Sequence, residues 1–223
     1  MKRTIFITGT DTGAGKTVLA TLLVSSLRRD GLKAAAFKPV CSGGRDDARK
    51  LFTAIDGVLS LDEVNPWHFR APIAPALAAR RERRRVTLPQ VVRHLRRFGD
   101  AFESVLVEGA GGLLSPLGEG FDSRDLIRKL RAAPIIVAPN KLGVVNQLRL
   151  TLEALPKDLR RKSRIVLMSP ATSDASTPLN AGLLGEFFDR RRIFLLPWLG
   201  RKPDIERALK NPATRKTLRA LVH

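Results

Sequence analysis

The sequence predicts an α/β fold: one domain built on a mostly parallel β-sheet with helices on both faces. Three observations lead there. Short apolar runs alternate with segments of helical periodicity along the chain. The runs are continuously apolar rather than alternating, as expected of strands covered on both sides. The first run is followed by a glycine-rich stretch and then an apolar-periodic segment, the order of a strand, a turn and a helix. The 223 residues contain no repeat and no Gly/Ser-rich linker, so residues 1–223 are read as a single domain.

The elements follow in order. Residues 2–8 form a first strand, and residues 18–31 a helix with Gly31 where a C-terminal cap belongs. Residues 33–40 read as a second strand ending near Pro39, and 46–55 as a helix opened by two acids. The proline-rich segment 65–79 reads as irregular, running into a helix start. Residues 87–98 are helical with Pro89 in the first turn. Strands are expected over 103–112, 131–140, 164–170 and 193–198. Helices are expected over 121–130 (capped by Asp122 or Ser123), 143–155, 179–191 and from 203 onward.

Composition narrows the function classes. With 43% hydrophobic and 27% charged residues, the chain is ordinary for a globular protein. One cysteine, Cys41, excludes an internal disulfide framework, and three histidines (His68, His94, His223) make a histidine-based metal site a poor reading. No apolar run approaches the roughly 18–20 residues that span a bilayer. The first apolar stretch is too short for a signal peptide, so a soluble cytoplasmic protein with no membrane partner is expected. The net charge of +19 raises nucleic acid as a partner. Only 5% of residues are aromatic and none is Tyr, which argues against a stacking surface for single strands. The Arg-rich segment between Arg80 and Arg97 is most simply a solvated face.

In parallel sheets, ligands gather at the carboxyl ends of strands. Three motifs fall there. The first is Gly9-Thr-Asp-Thr-Gly-Ala-Gly-Lys-Thr17, with the strand-loop-helix setting of a phosphate loop. Its spacing is one residue longer than the usual pattern. Gly13, Ala14, Gly15 and Val18 would surround phosphate oxygens, Lys16 would reach the β- and γ-phosphates, and Thr17 would hold Mg²⁺. The second is Phe37-Lys-Pro-Val-Cys-Ser-Gly-Gly44: Lys38 offers a cation near the phosphates, and Ser42 a hydrogen bond to a substrate oxyanion. The third is Val107-Glu-Gly-Ala-Gly-Gly112, in which Glu108 stands where phosphate-loop proteins place a magnesium carboxylate and Gly111 allows close approach of a ligand. Asp47 is the second candidate metal carboxylate, with Asp46 competing.

These three motifs, in this order, resemble the dethiobiotin synthetase family of P-loop enzymes. The resemblance extends through Asn140-Lys-Leu-Gly-Val-Val-Asn-Gln147 and Leu195-Leu-Pro-Trp-Leu-Gly200. It implies a single P-loop domain and an ATP-dependent ligase acting on 7,8-diaminopelargonic acid and CO₂, with ATP as co-substrate and Mg²⁺ as cofactor. It also implies a homodimer with substrate at the interface. By that resemblance Lys38 and Ser42 hold the carbamate, Thr12 also touches the substrate, and Thr17, Asp47 and Glu108 hold the metal. Gly143 and Asn146 receive the substrate's carboxylate tail from a second subunit. Pro197, Trp198 and Leu199 lie beside the adenine. Ser169 stands where the family usually has the Asn that reads the base, the loop after Gly44 is shorter than usual, and Ala76 stands where the family commonly has His. The competing reading is a chromosome-partition-type ATPase that binds DNA nonspecifically. That family's phosphate loop usually begins with a lysine, which Thr8-Gly9-Thr10-Asp11 lacks.

Overall fold

A computed structural model describes residues 3–222; Lys2 of the expected first strand, Met1 and His223 lie outside the described residues. The first half comprises β1 (Arg3–Gly9), α1 (Lys16–Arg29), β2 (Ala34–Phe37), β3 (Val40–Ser42), α2 (Asp46–Ala54), α3 (Leu61–Val64), β4 (Trp67–Phe69), α4 (Pro75–Arg81), α5 (Leu88–Gly99) and β5 (Ser104–Glu108). The second half comprises α6 (Ser123–Leu130), β6 (Ala133–Pro139), α7 (Val144–Glu153), α8 (Lys157–Lys162), β7 (Arg164–Met168), α9 (Asn180–Leu184), β8 (Ile193–Leu196), α10 (Ile205–Lys210) and α11 (Pro212–Val222).

Six strands form one sheet in the order β2-β5-β1-β6-β7-β8, and every pairing is parallel. The central strands are buried along most of their length, which is why their sequences read as unbroken apolar runs. Phe6, Ile7, Phe37 and Leu106 are among the fully buried side chains at the sheet, with Leu22 and Leu23 packed over them from α1. Helix α1 rests on β1, β2 and β5 beside α2, α10 and α11, while α6 covers β1 and α7 and α8 cover β6.

Register sets the site. Ile7 of β1 pairs with Glu108 of β5, and Phe37 of β2 pairs with Val107. The residues just beyond β1 and β2 therefore meet Glu108 at one end of the sheet.

The expected strand 33–40 is instead two strands. Pro39 has no N–H for a sheet ladder, and the Lys38 N–H turns to the Val64 carbonyl at 3.0 Å. β3 leaves the main sheet and pairs in parallel with β4, a strand within the segment read as irregular. The expected helix 179–191 shortens to α9. The Gly185 N–H is shared between the Ala181 and Gly182 carbonyls, and the chain leaves through turns into a 3₁₀ turn at Arg190–Arg192. Helix α8 lies in a stretch given no element from sequence, because only Leu159 of its six residues is buried.

Helix α1 ends as expected at Gly31. The Leu32 N–H reaches the Leu27 carbonyl at 3.1 Å and the Gly31 N–H reaches Arg28 at 3.0 Å, with Gly31 at φ 83°. A Cβ at Gly31 would meet no atom within 4 Å, so replacing it strains conformation alone. Gly31→Ala is expected to lower unfolding free energy by about 1 kcal/mol, the penalty of a left-handed non-glycine residue. An unchanged urea midpoint would contradict this account of the cap.

Candidate active site

The loop between β1 and α1 is shaped by its glycines. Gly13 and Gly15 adopt φ 74° and 97°, a region that L side chains rarely enter. A Cβ on Gly112 would sit 3.0 Å from the Thr10 carbonyl, so the loop after β5 lies directly against the loop after β1. Lys16 opens α1 with its ammonium folded back onto the Asp11 carbonyl at 2.8 Å. Ala14 is buried beneath the loop.

Behind the loop lies a compact charge cluster. Lys38 Nζ contacts Glu108 Oε1 at 2.5 Å and Asp47 Oδ2 at 3.1 Å. The Thr17 hydroxyl donates to the same Glu108 Oε1 at 2.8 Å. The Lys38 and Glu108 side chains are 4% and 1% exposed. Burial opposes the charge on Lys38, but Glu108 and Asp47 outweigh it and hold the ammonium above its usual range. Burial likewise opposes ionised Asp47, and the Lys38 ammonium outweighs it and lowers that carboxyl. Lys16 has no comparable partner: burial, then the Lys38 charge, lowers it to about 8.

Asp47 lines the cleft, whereas Asp46 faces solvent and pairs with Arg49 at 2.9 Å. One step along α2 separates them, and the helical phase turns only the second acid inward.

Glu108 Oε2 is buried without a hydrogen-bond partner. An orphaned carboxylate oxygen beside a threonine hydroxyl and a second carboxylate is a donor set suited to a hard cation such as Mg²⁺. Among the described residues no three His, Cys, Asp or Glu side chains form a metal cluster, so phosphate oxygens and water would have to complete such a shell.

The cleft has a volume of about 620 Å³ and brings together Thr12, Gly13, Gly15, Lys16, Thr17, Val18, Lys38, Ser42, Asp47, Glu108 and Gly111. Its far wall is the segment Pro72–Pro75 with Ser115 and Pro116. The Ser42 hydroxyl donates to the Ile73 carbonyl at 2.6 Å, so its proton is engaged inside the protein. Ser115 was not singled out from sequence. Its oxygen accepts the Gly112 N–H at 2.8 Å and its side chain borders the cleft. Asn65 was also missed. Fully buried, it donates to the Lys38 carbonyl at 2.5 Å and accepts from Arg45 at 3.1 Å, fixing the backbone that carries Lys38.

The remaining candidates lie outside the cleft wall. Ser169 follows β7, and its N–H donates to the Leu196 carbonyl at 2.9 Å. The preceding Met168 abuts the phosphate loop: a Cβ on Gly15 would meet its side chain at 3.0 Å. Pro197 and Trp198 are exposed and Leu199 half-buried beyond β8. Gly143, at φ 88°, precedes α7, and Asn146 is exposed on its first turn.

A glycine loop between the first strand and helix, with a lysine and threonine opening that helix and a carboxylate ending the neighbouring strand, defines a P-loop nucleotide-binding protein. Residues 3–203 match the AAA domain family. The chain is 42% identical over 210 residues to the ATP-dependent dethiobiotin synthetase of Anaeromyxobacter dehalogenans, covering 92% of this chain and 93% of that one. It is 35% identical over 155 residues to the enzyme of the same name from Methanocaldococcus jannaschii, covering 68% and 72%. The chain belongs to the dethiobiotin synthetase family. Among solved structures, pNOB8 ParA bound to nonspecific DNA superposes with a TM-score of 0.60 at 13% identity, covering 100% of this chain and 98% of that one. The hydrogenase maturation factor HypB from Archaeoglobus fulgidus gives 0.54 at 16%, covering 100% and 91%. Both likenesses are of fold. Among the described residues no helix is long and apolar enough to cross a membrane.

The lowered Lys16 predicts a pH signature. A bound triphosphate favours the charged ammonium, so its pKa rises on binding. Between about pH 8 and the bound-state value, ATP binding therefore takes up a proton and affinity falls as pH rises. Calorimetry near pH 8.5, in two buffers of different ionisation enthalpy, is expected to show this uptake in the wild type and none in Lys16→Arg, whose guanidinium stays charged throughout.

Proposed function

We propose that this protein performs the reaction for which its relatives are named, closing a ureido ring on 7,8-diaminopelargonic acid at the expense of ATP. CO₂ adds to one amine, with loss of a proton, to give a carbamate. The carbamate oxygen attacks the γ-phosphorus and ADP leaves. The second amine then attacks the carbamoyl carbon and loses a proton, phosphate departs, and the ring closes. The observation that carries this reading is the Lys38–Glu108–Thr17 cluster beside the phosphate loop of a dethiobiotin synthetase homologue.

Each residue has a place in that scheme. Carbamate and γ-phosphate are both anionic, and their approach is opposed by Coulomb repulsion. Lys16 and Lys38 supply the two positive charges that offset it. Ser42 would hold the carbamate with Lys38, and Thr12 would touch the substrate; for Ser42 to donate, its hydroxyl must turn from the Ile73 carbonyl. Gly13, Ala14, Gly15 and Val18 belong to the phosphate cradle, and Gly111 gives the ligand close approach. Thr17, Asp47 and Glu108 would hold Mg²⁺, which when bound neutralises phosphate charge. Phosphoryl transfer runs mainly on such positioning and electrostatics.

The same reading makes the protein a homodimer in which Gly143 and Asn146 reach the neighbour's substrate. Its support is a set of exposed apolar side chains: Leu142 just before α7 (78% exposed), Leu150 within it (65%) and Leu114 in the loop after β5 (50%). The site would lie in the cytoplasm, where ATP is available. The DNA-binding alternative rests on net charge and on a likeness of fold.

Purified protein with ATP, Mg²⁺, bicarbonate and the diamine is expected to release ADP only when the diamine is present. Lys16→Ala should slow turnover by ~10³-fold or more, as for loss of a transition-state charge contact. Lys38→Ala should lose diamine-dependent turnover while keeping more of its nucleotide affinity. Wild-type turnover in Lys38→Ala would remove the carbamate role.

Assembly is tested by complementation. Lys16→Ala and Asn146→Ala subunits, each inactive alone, should regain activity when mixed. Confirmed heterodimers without rescue would place the whole site in one chain.

Nucleotide choice is tested at Ser169. An Asn amide offers a donor and an acceptor to a base, whereas a serine is shorter. Here the Ser169 N–H is already bonded to Leu196, and Pro170 has no N–H. The base would be held by packing near Pro197, Trp198 and Leu199, which discriminates weakly. GTP and CTP should then support turnover with kcat/KM within about a hundredfold of ATP, ~2.7 kcal/mol. A larger preference for ATP would show that other groups read the adenine.

A further inference from the structure

The protein carries a second cleft, of about 850 Å³, that the ligase reaction does not use. It lies between the C-terminal half of α1, the outer side of α2 and the start of α10. Its volume falls within the range of small-molecule sites. Leu32, Ala54 and Ile205 supply an apolar surface, and Arg28, Arg29, Lys33, Arg49 and Lys50 border it against only Asp56 and Glu206.

Arg28 is the informative residue. Its Nη1 reaches the Ala34 carbonyl at 3.3 Å, and its Nη2 reaches Asp56 at 3.2 Å. Its Nε is buried and has no partner. A guanidinium presents Nε and Nη2 on one edge, spaced to receive both oxygens of a carboxylate. Asp56 occupies only half of that edge. Its side chain is 79% exposed, so water competes strongly for this contact. A stronger carboxylate ligand can displace it and satisfy both donors.

We propose that this cleft is a binding site for a small amphipathic carboxylate, its head on the Nε–Nη2 edge of Arg28 and its apolar body against Leu32, Ala54 and Ile205. The rim, in which Arg29 pairs with Glu206 and Arg49 with Asp46, still has more basic than acidic residues and favours an anion. The site is distinct from the nucleotide cleft, although Lys50 borders both.

The test uses the whole protein with octanoate as probe, followed by calorimetry and by displacement of the fluorescent anion 8-anilinonaphthalene-1-sulfonate, with and without saturating ATP. One saturable octanoate site is expected, unaffected by ATP. Arg28→Gln should weaken it by at least about tenfold, the loss of a charge-assisted hydrogen bond. Thr53→Trp, an exposed position on the cleft wall, should fill the space and abolish binding while leaving diamine-dependent ADP release unchanged. Absence of saturable octanoate binding would overturn the proposal. So would competition by ATP, or equal affinity in Thr53→Trp. Should Arg28→Gln not fold, Thr53→Trp decides alone.

Discussion

The contact on which the site depends is the buried pair of Lys38 and Glu108. Removing two charges from water is expensive, and the pair persists because its geometry is close and its neighbours are polar. Glu108 Oε1 receives both the Lys38 ammonium and the Thr17 hydroxyl, so one oxygen ties together the first turn of α1, the segment that leaves β2 and the end of β5. Asn65 holds the Lys38 carbonyl and Val64 takes its N–H, so the lysine is fixed at both ends of its own peptide unit. The remaining oxygen of Glu108 and the poorly compensated charge on Lys16 are what an anionic ligand with its cation would satisfy.

The departure of β3 from the main sheet has a functional consequence. Pro39 interrupts the ladder, and the chain turns across the carboxyl end of the sheet to pair with β4. That small second sheet carries Cys41 and Ser42 toward the cleft, and the Pro72–Pro75 segment beyond β4 closes its far side. A break in regular structure thus forms the wall that a nucleotide loop alone would lack. Burial pushes the Cys41 thiol up, so it behaves here as a small packed side chain with its Sγ 3.1 Å from the Gly44 carbonyl.

A second polar knot organises the other half of the strand ends. Buried Asn140 donates to the Thr177 carbonyl at 3.1 Å and accepts from Asn180 at 2.9 Å, while Asp174 accepts the Leu142 N–H at 2.9 Å. The loop after β7 is thereby fastened to the segment that leads through Gly143 into α7. Hydroxyl and backbone donors at Ser176, Thr177 and Leu142 hold the Asp174 carboxyl well below the usual carboxylate range. Ser169 stands at the start of that fastened loop.

The sequence alone determined the parallel sheet, since continuous apolar runs report burial on both faces and need no knowledge of partners. It also determined where the chemistry-bearing side chains collect, because the phosphate loop, Lys38 and Glu108 all lie at the carboxyl ends of strands. What it left open depended on contacts between distant residues. Lys38 and Glu108 are 70 positions apart, and only the register of β2 against β5 makes them touch. Asp46 and Asp47 are equivalent as letters, and the phase of α2 against the cleft separates them. Asn65 and Ser115 carry no motif; their partners are backbone groups that tertiary folding brings near. Helix α8 was invisible because a short charged segment with one buried leucine has almost no periodicity to read. Local pattern sets which elements form and where the chemistry-bearing side chains begin, whereas distance, burial and hydrogen-bond partner are properties of the packed chain.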